Sequence, residues 1–485
     1  MLPLPGIMAV AIDQRSFRNS YHRLCRWLEQ LPDEILQAQP TLGFWYAMPT
    51  MFTSLRRTPA AWGRIEPCLL SAKQGFEAKG QQEQLGEARE LHAELAFFQD
   101  DLARMLAFAR QATPLLSPQS LMYATNRLAR GWDHLLAGDL EAAWQSFLEG
   151  RRGSESLGSL TGTVAASLLL GEACMARGEL HQAARYCHQA LAYTDEDPQS
   201  IQQQLMTATG DREPFFVSWA YHNLARFSYE WDDLAAAEHA LAQAQALGED
   251  PAGAVHLLTS GGLIRVRLLH RCGETTSAQR MLTTWERQSR SPWALRAIRA
   301  CQARLQLDMG NLSAVEHWFR TREDSLGFSG CEREQRLPYV QQEEEALLAV
   351  RLMLAQAQPQ AALQELAPWK AQAEAQGRTY AVLEMLLLEA LAYLSGARRP
   401  LPSGRGMKGP LPLPVVPAGA RRVSAHRANS IVFGRSVVKR SHGEKHARAV
   451  DAVLVRKARA AHATSLVWNE TNRMAVGRHR LGARP

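Results

Sequence analysis

Three stretches of this chain carry small side chains at one fixed set of intervals across a turn. That recurrence constrains the fold more than anything else in the sequence. In LGEACMARGELHQAARYCHQA, Ala183 lies twelve residues after Gly171, Cys187 sixteen and Ala190 nineteen. Small residues so spaced let two antiparallel helices cross closely. Between them Arg177-Gly178-Glu179-Leu180 supplies a turn, because glycine enters the left-handed conformation that ends a helix without steric cost. Laid on Ala225, the same intervals find Ala237, Leu241 and Ala244; laid on Gly131 they find Ala143, Phe147 and Gly150. A helix–turn–helix unit written repeatedly predicts an all-α array in which each pair packs on its neighbours.

Turn signals recur at Gly138-Asp139, Gly178-Glu179, Trp231-Asp232-Asp233, Gly273-Glu274, Gly310-Asn311 and Gln358-Pro359. Later units keep part of the pattern, as Ala303, Val315 and Phe319, then Val350, Ala362 and Leu366. Extra length is expected in loops between units, such as residues 195–211. Upstream, residues 1–20 form an irregular lead. Helical periodicity begins at Tyr21, Pro32 and Pro40 separate short helices, and residues 55–115 continue as amphipathic helices with Ala60-Ala61, Ala96 and Ala107 as close-packing points. After Leu394 the periodicity stops. Prolines at 400, 402, 410, 412, 414 and 417 forbid helix there, so residues 398–485 are expected to be a disordered tail.

Composition separates that tail from the body. Residues 401–485 hold 17 Lys/Arg against 3 Asp/Glu, so the net charge of +7 is a basic tail on a mildly acidic body. Arginine clusters without an ordered scaffold neutralise phosphates but read no bases, so no specific DNA binding is expected of this chain. The seven cysteines show no CxxC spacing and imply neither a metal site nor a disulfide framework; Cys174 and Cys187 fall at helix-packing positions. No apolar run of membrane-span length stands out, and a cytoplasmic protein without membrane contact is expected. Neither HExxH, GxSxG nor GxxxxGK[ST] occurs, so no catalytic, metal or cofactor role is assigned. The serines of 153–162 read as polar turns, and Glu343-Glu344-Glu345 as a solvated acidic face.

The repeated unit is similar to the tetratricopeptide repeat, which implies a right-handed superhelix of helix pairs whose first helices line a concave groove. Residues 21–397 further resemble the superhelical effector domain of MalT-like, LuxR-family regulators. LCRWLEQLPDEILQAQPTLGFWYA, followed by Pro59-Ala60-Ala61, carries that resemblance. It implies transcription regulation by a three-part protein: a signalling ATPase, a superhelix that binds an effector or partner protein, and a helix-turn-helix that reads DNA. Neither flanking module is legible here, so the chain is expected to be a truncated regulator. A one-base shift permitted by codon degeneracy turns Ala420–His426 into the Pro-Glu-Gly-Phe-Gln-Arg typical of the family, which favours a frameshifted tail. The alternative is a free-standing repeat scaffold for protein–protein interaction.

Carried onto this chain, the groove positions of such a repeat are Trp132, Glu172, Trp219, His222, Arg226, Tyr229 and Arg267. Aromatic and charged side chains together suit a sugar-like or peptide ligand. Trp132 and Trp219 fit equally well between neighbouring repeats.

Overall fold

A computed structural model describes residues 28–51, 59–195, 214–247, 263–289, 291–322 and 337–396. The lead over 1–20, the tail over 398–485 and the loop expected over 195–211, save its first residue, lie outside them. Among the described residues the chain is all-α, a tetratricopeptide-like helical repeat with eighteen α-helices and no strand.

The first five helices are α1 (Asp33–Ala38), α2 (Pro40–Met51), α3 (Pro59–Ala78), α4 (Gln82–Phe98) and α5 (Leu102–Ala112). Asp33 and Glu34 open α1 on the positive end of its dipole. Helices α1 to α4 share one core with Leu36, Phe44, Ile65, Leu69 and Leu91 at its centre, joined by Ala112 of α5; Leu102, Met105, Leu106 and Ala109 of α5 pack into the core of the repeats. Ala61 and Ala96 are buried as expected. Ala60 is exposed and Ala107 half-buried, because the face of α5 turned inward is set by Ala109 and Ala112.

The repeats follow as α6 (Leu121–Leu136) with α7 (Leu140–Ser156), α8 (Leu160–Ala176) with α9 (Leu180–Asp195), and α10 (Pro214–Glu230) with α11 (Leu234–Ala246). Next come α12 (Ile264–Arg271) with α13 (Thr275–Gln288), α14 (Pro292–Asp308) with α15 (Leu312–Thr321), and α16 (Tyr339–Ala355) with α17 (Pro359–Ala375). The last helix is α18 (Thr379–Gly396). Each pair packs within itself and onto the first helix of the next.

Local chemistry explains the pairing. Gly178 has φ of 80°. Its N–H donates to Met175 O and that of Glu179 to Cys174 O, both at 2.8 Å, so two carbonyls otherwise orphaned at the helix end are satisfied. All six turns expected from the sequence have this form, with Gly138, Asp232, Gly273, Gly310 or Ala357 in the left-handed position of the others. Asp139, Asp233 and Asn311 then cap the next helix.

The small positions Ala143, Ala183, Ala190, Ala225, Ala237 and Ala244 are all buried, as are Gly131 and Gly171. Gly131 is the tighter of these two glycines: a Cβ built there would lie 2.5 Å from the Phe147 ring. At Gly171 the same atom finds ordinary contact, 3.4 Å to Ala183 O and 3.7 Å to Cys187 Sγ. Burial in this packing pushes the Cys174 and Cys187 thiols well above their usual range.

Two expectations are corrected here. Ser154 is buried in the last turn of α7, so residues 153–156 are helix and not loop. Among the described residues, one helix is also apolar and long enough, at 18 residues, to cross a membrane: α18. In the fold it packs on α16, α17 and α8, Glu384 pairs with Arg351, and Glu389 accepts from Lys370 at 2.7 Å.

The array winds far enough for its end to meet its beginning. Helix α16 packs against α6, and α18 against α8. A Cβ on Gly178 would sit 3.6 Å from Thr379 Cβ, and one on Gly138 would sit 2.9 Å from Gln376 Oε1 and 3.0 Å from the Tyr339 ring. The turns of the early units are therefore the docking points for the last one.

Candidate functional site

That closure draws the first helices of successive pairs around a common interior. From the second unit on, the residue following the first packing position makes one line: Glu172, Arg226, Arg267, Arg304 and Arg351, on α8, α10, α12, α14 and α16. Three of these arginines have carboxylate partners. Arg226 Nη1 is 3.4 Å from Glu172 Oε2, Arg304 Nε is 3.3 Å from Asp308 Oδ1, and Arg351 pairs with Glu384 of α18. Tyr380 reaches across from α18, its hydroxyl donating to Glu230 at 2.6 Å, and its ring lies 6.0 Å from the Arg226 guanidinium.

Trp132 and Trp219, expected at the groove, are core residues instead. They are 3% and 1% exposed and stack on each other with centroids 5.7 Å apart. Phe97, Phe215 and Phe216 surround them, and apolar indole area is more favourably buried in that cluster than left facing solvent. His222 is buried too. Its Nδ1 lies 2.9 Å from Ser218 O, and burial, opposed by that contact and reinforced by Arg265, lowers its pKa.

Glu172 is buried at the floor. Burial raises its carboxyl to about 7 while Arg226 pulls it back. Trp219 Nε1 and the Asn223 amide also approach it closely enough to favour the charged form. Neither reaches hydrogen-bond geometry, and Glu172 Oε1 and both Asn223 amide atoms are left without one.

Arg226 and Tyr229 are half-buried at the wall, with Arg271 5.6 Å over the Tyr229 ring. Arg267 is exposed to solvent and yet hemmed in by protein. Burial works against its charge, and Cys301, Glu344, Tyr380 and Tyr229 more than offset that. Arg304 is held down to about 10 by burial and by Arg351.

The acidic run at the start of α16 is not a solvated face. Glu343 is buried against Arg378, whose Nη1 is 2.6 Å from its oxygens, and Glu345 is buried in a two-pronged pair with Arg296, Nη2 to Oε2 at 2.8 Å. Between them Glu344 is exposed. A signal for this existed, since three successive helical residues fan over about 200° and cannot share one face. Arg304 and Arg351 were likewise within reach of the repeat spacing, one residue after Ala303 and Val350.

A family model described as the MalT-like TPR region matches residues 86–400, about two thirds of the sequence. The chain belongs to that family. The match begins after the Leu24–Ala47 segment that suggested the resemblance, and takes in every helix of the MalT-like repeat array from α5 to α18. No curated protein and no solved structure matches the chain. Among the described residues no cluster of His, Cys, Asp or Glu could hold a metal ion.

Proposed function

We propose that this chain acts in transcription regulation as the effector- or partner-binding region of a MalT-type, LuxR-family regulator, in the cytoplasm, and that it works by binding and not by catalysis. The observation that carries this reading is the charged and aromatic line along the first helices, in a chain whose family repeats commonly mediate protein or ligand binding. Helix pairs supply a rigid wall, so little ordering is needed when a ligand enters. Arg226, Arg304 and Arg351 are already fixed by carboxylates, and Tyr229 and Tyr380 add rigid apolar area.

A ligand that binds only the folded chain raises its unfolding temperature by mass action. The small-molecule fraction of a cell extract is expected to protect the full chain from thermal unfolding, and Tyr229→Ala to lose much of that protection. An extract that protects neither chain, with no protein partner retained on the immobilised chain, contradicts the reading.

A further inference from the structure

The last unit is held on its two sides by contacts of different kinds. Toward the preceding helices the seam is apolar and buried: Leu348 and Leu352 of α16 share a core with Ala303 of α14 and Val315 of α15. There Glu345 makes its two-pronged pair with Arg296 of α14, and Gln341 Nε2 donates to Trp293 O at 2.9 Å. Toward the first repeats the seam is made of turns and polar groups. The Gly138 turn meets the Tyr339 ring, Gln376 and Arg378, and the Gly178 turn meets Thr379. The Tyr380 hydroxyl donates to Glu230 of α10 at 2.6 Å. Among the described residues, the buried side chains of the long core of the repeats come from α4 to α14 and none from α16, α17 or α18, which have a core of their own around Val350, Leu366 and Met385. Only the half-buried Val340 of α16 and Tyr380 of α18 reach the long core from these helices.

Parting the first seam would expose buried apolar area and strand a buried charge, whereas parting the second mainly exchanges protein hydrogen bonds for those of water. We propose that α16 to α18 form a jaw, hinged on α14 and α15, that opens at the Gly138 and Gly178 turns and is latched by Tyr380 on Glu230. Tyr380 also stands over Arg226, its ring 6.0 Å from the guanidinium, and Arg226 is the partner of the buried Glu172. The jaw therefore controls access to the pair with which the line of charges begins. Whatever binds one form better shifts the balance between open and closed. The proposal concerns the motion of the chain itself, so it stands or falls independently of the effector-binding reading.

The test is hydroxyl-radical footprinting of the full chain without ligand, reading side-chain oxidation by mass spectrometry. Tyr339 lies against the Gly138 turn and Tyr380 beside that of Gly178, and both are half-buried, so an opening jaw exposes them together. Glu230→Gln keeps the shape of the latch but removes its charge. It is expected to move the open-to-closed ratio about tenfold, raising the oxidation of both tyrosines. Tyr380→Phe removes the same bond from the other side and should raise oxidation of Tyr339. Joining Gly178→Cys to Thr379→Cys by a disulfide should bring both tyrosines below the wild-type level, and reduction should restore them. Trp219, buried in the long core, is the reference, since it oxidises only if the fold is lost. A rise at Tyr380 alone would mean that its side chain swings out while the unit stays docked, and overturns the proposal. So does a disulfide that leaves Tyr339 oxidised as in wild type; that comparison decides the matter even if the latch variants fail to fold.

Discussion

Two glycines at equivalent positions of neighbouring repeats make opposite demands. A methyl on Gly131 meets the buried Phe147 ring at 2.5 Å, whereas on Gly171 it meets only ordinary neighbours. Gly131→Ala is expected to destabilise the chain by about 1–3 kcal/mol through overpacking. Gly171→Ala should be neutral or stabilising by up to about 1 kcal/mol, from helix propensity alone. Urea unfolding of the two variants checks the contrast. At Glu172 the folded state holds the proton more tightly than the unfolded chain does. Its contribution to stability is therefore lost as pH rises from the usual carboxyl value of 4.5 to about 7, and stays lost above that. Glu172→Gln should remove that part of the pH dependence, read as the urea midpoint across the same window. A midpoint difference between variant and wild type that does not change with pH would contradict the assignment.

At the scale of elements, what the sequence discloses is what local geometry decides. Turn positions such as Gly178 and Gly310 and crossing positions such as Ala183 and Ala237 follow from one helix pair alone, so the spacing exposes them. Trp132 and Trp219 lie where the wall of the groove and the seam between repeats occupy adjacent parts of one helix face, and only the cluster with Phe215 and Phe216 shows which applies. Glu343 and Glu345 were hidden for a different reason. Their partners Arg378 and Arg296 are 35 and 49 residues away, in the turn before α18 and in α14. Removing one member of such a pair leaves a buried charge uncompensated, so Glu345→Ala is expected to cost about 3–5 kcal/mol. Arg296→Met with Glu345→Leu should recover much of the loss. Denaturant titration of the single and double variants measures both, and a single variant within about 1 kcal/mol of wild type would contradict the pair's burial.

For the whole molecule, the decisive feature is the return of the last unit to the first ones. Small rotations between units accumulate over some two hundred residues, and no single repeat encodes their sum. That is why the line from Glu172 to Arg351 could be found by spacing while the partners that close it, Tyr380 and Glu384 on α18, could not. Without the closure the arginine line would be an open surface; with it, Tyr380 and Glu384 stand against Arg226 and Arg351.

The most direct test of that closure is a cross-link between residues 178 and 379. A Cβ at Gly178 would stand 3.6 Å from that of Thr379, within the span of a disulfide. In the double variant Gly178→Cys with Thr379→Cys, mild oxidation should join the two peptides, identified by mass spectrometry. The control Gly310→Cys with Thr379→Cys should give no such product, since nothing lies near Gly310. The left-handed backbone at position 178 costs a side chain about 1–2 kcal/mol, which the remaining packing tolerates. Formation of the 178–379 link in the folded chain is the result this structure requires. Equal, slow linkage in both variants would mean that the array stays open and that the interior site does not exist as described.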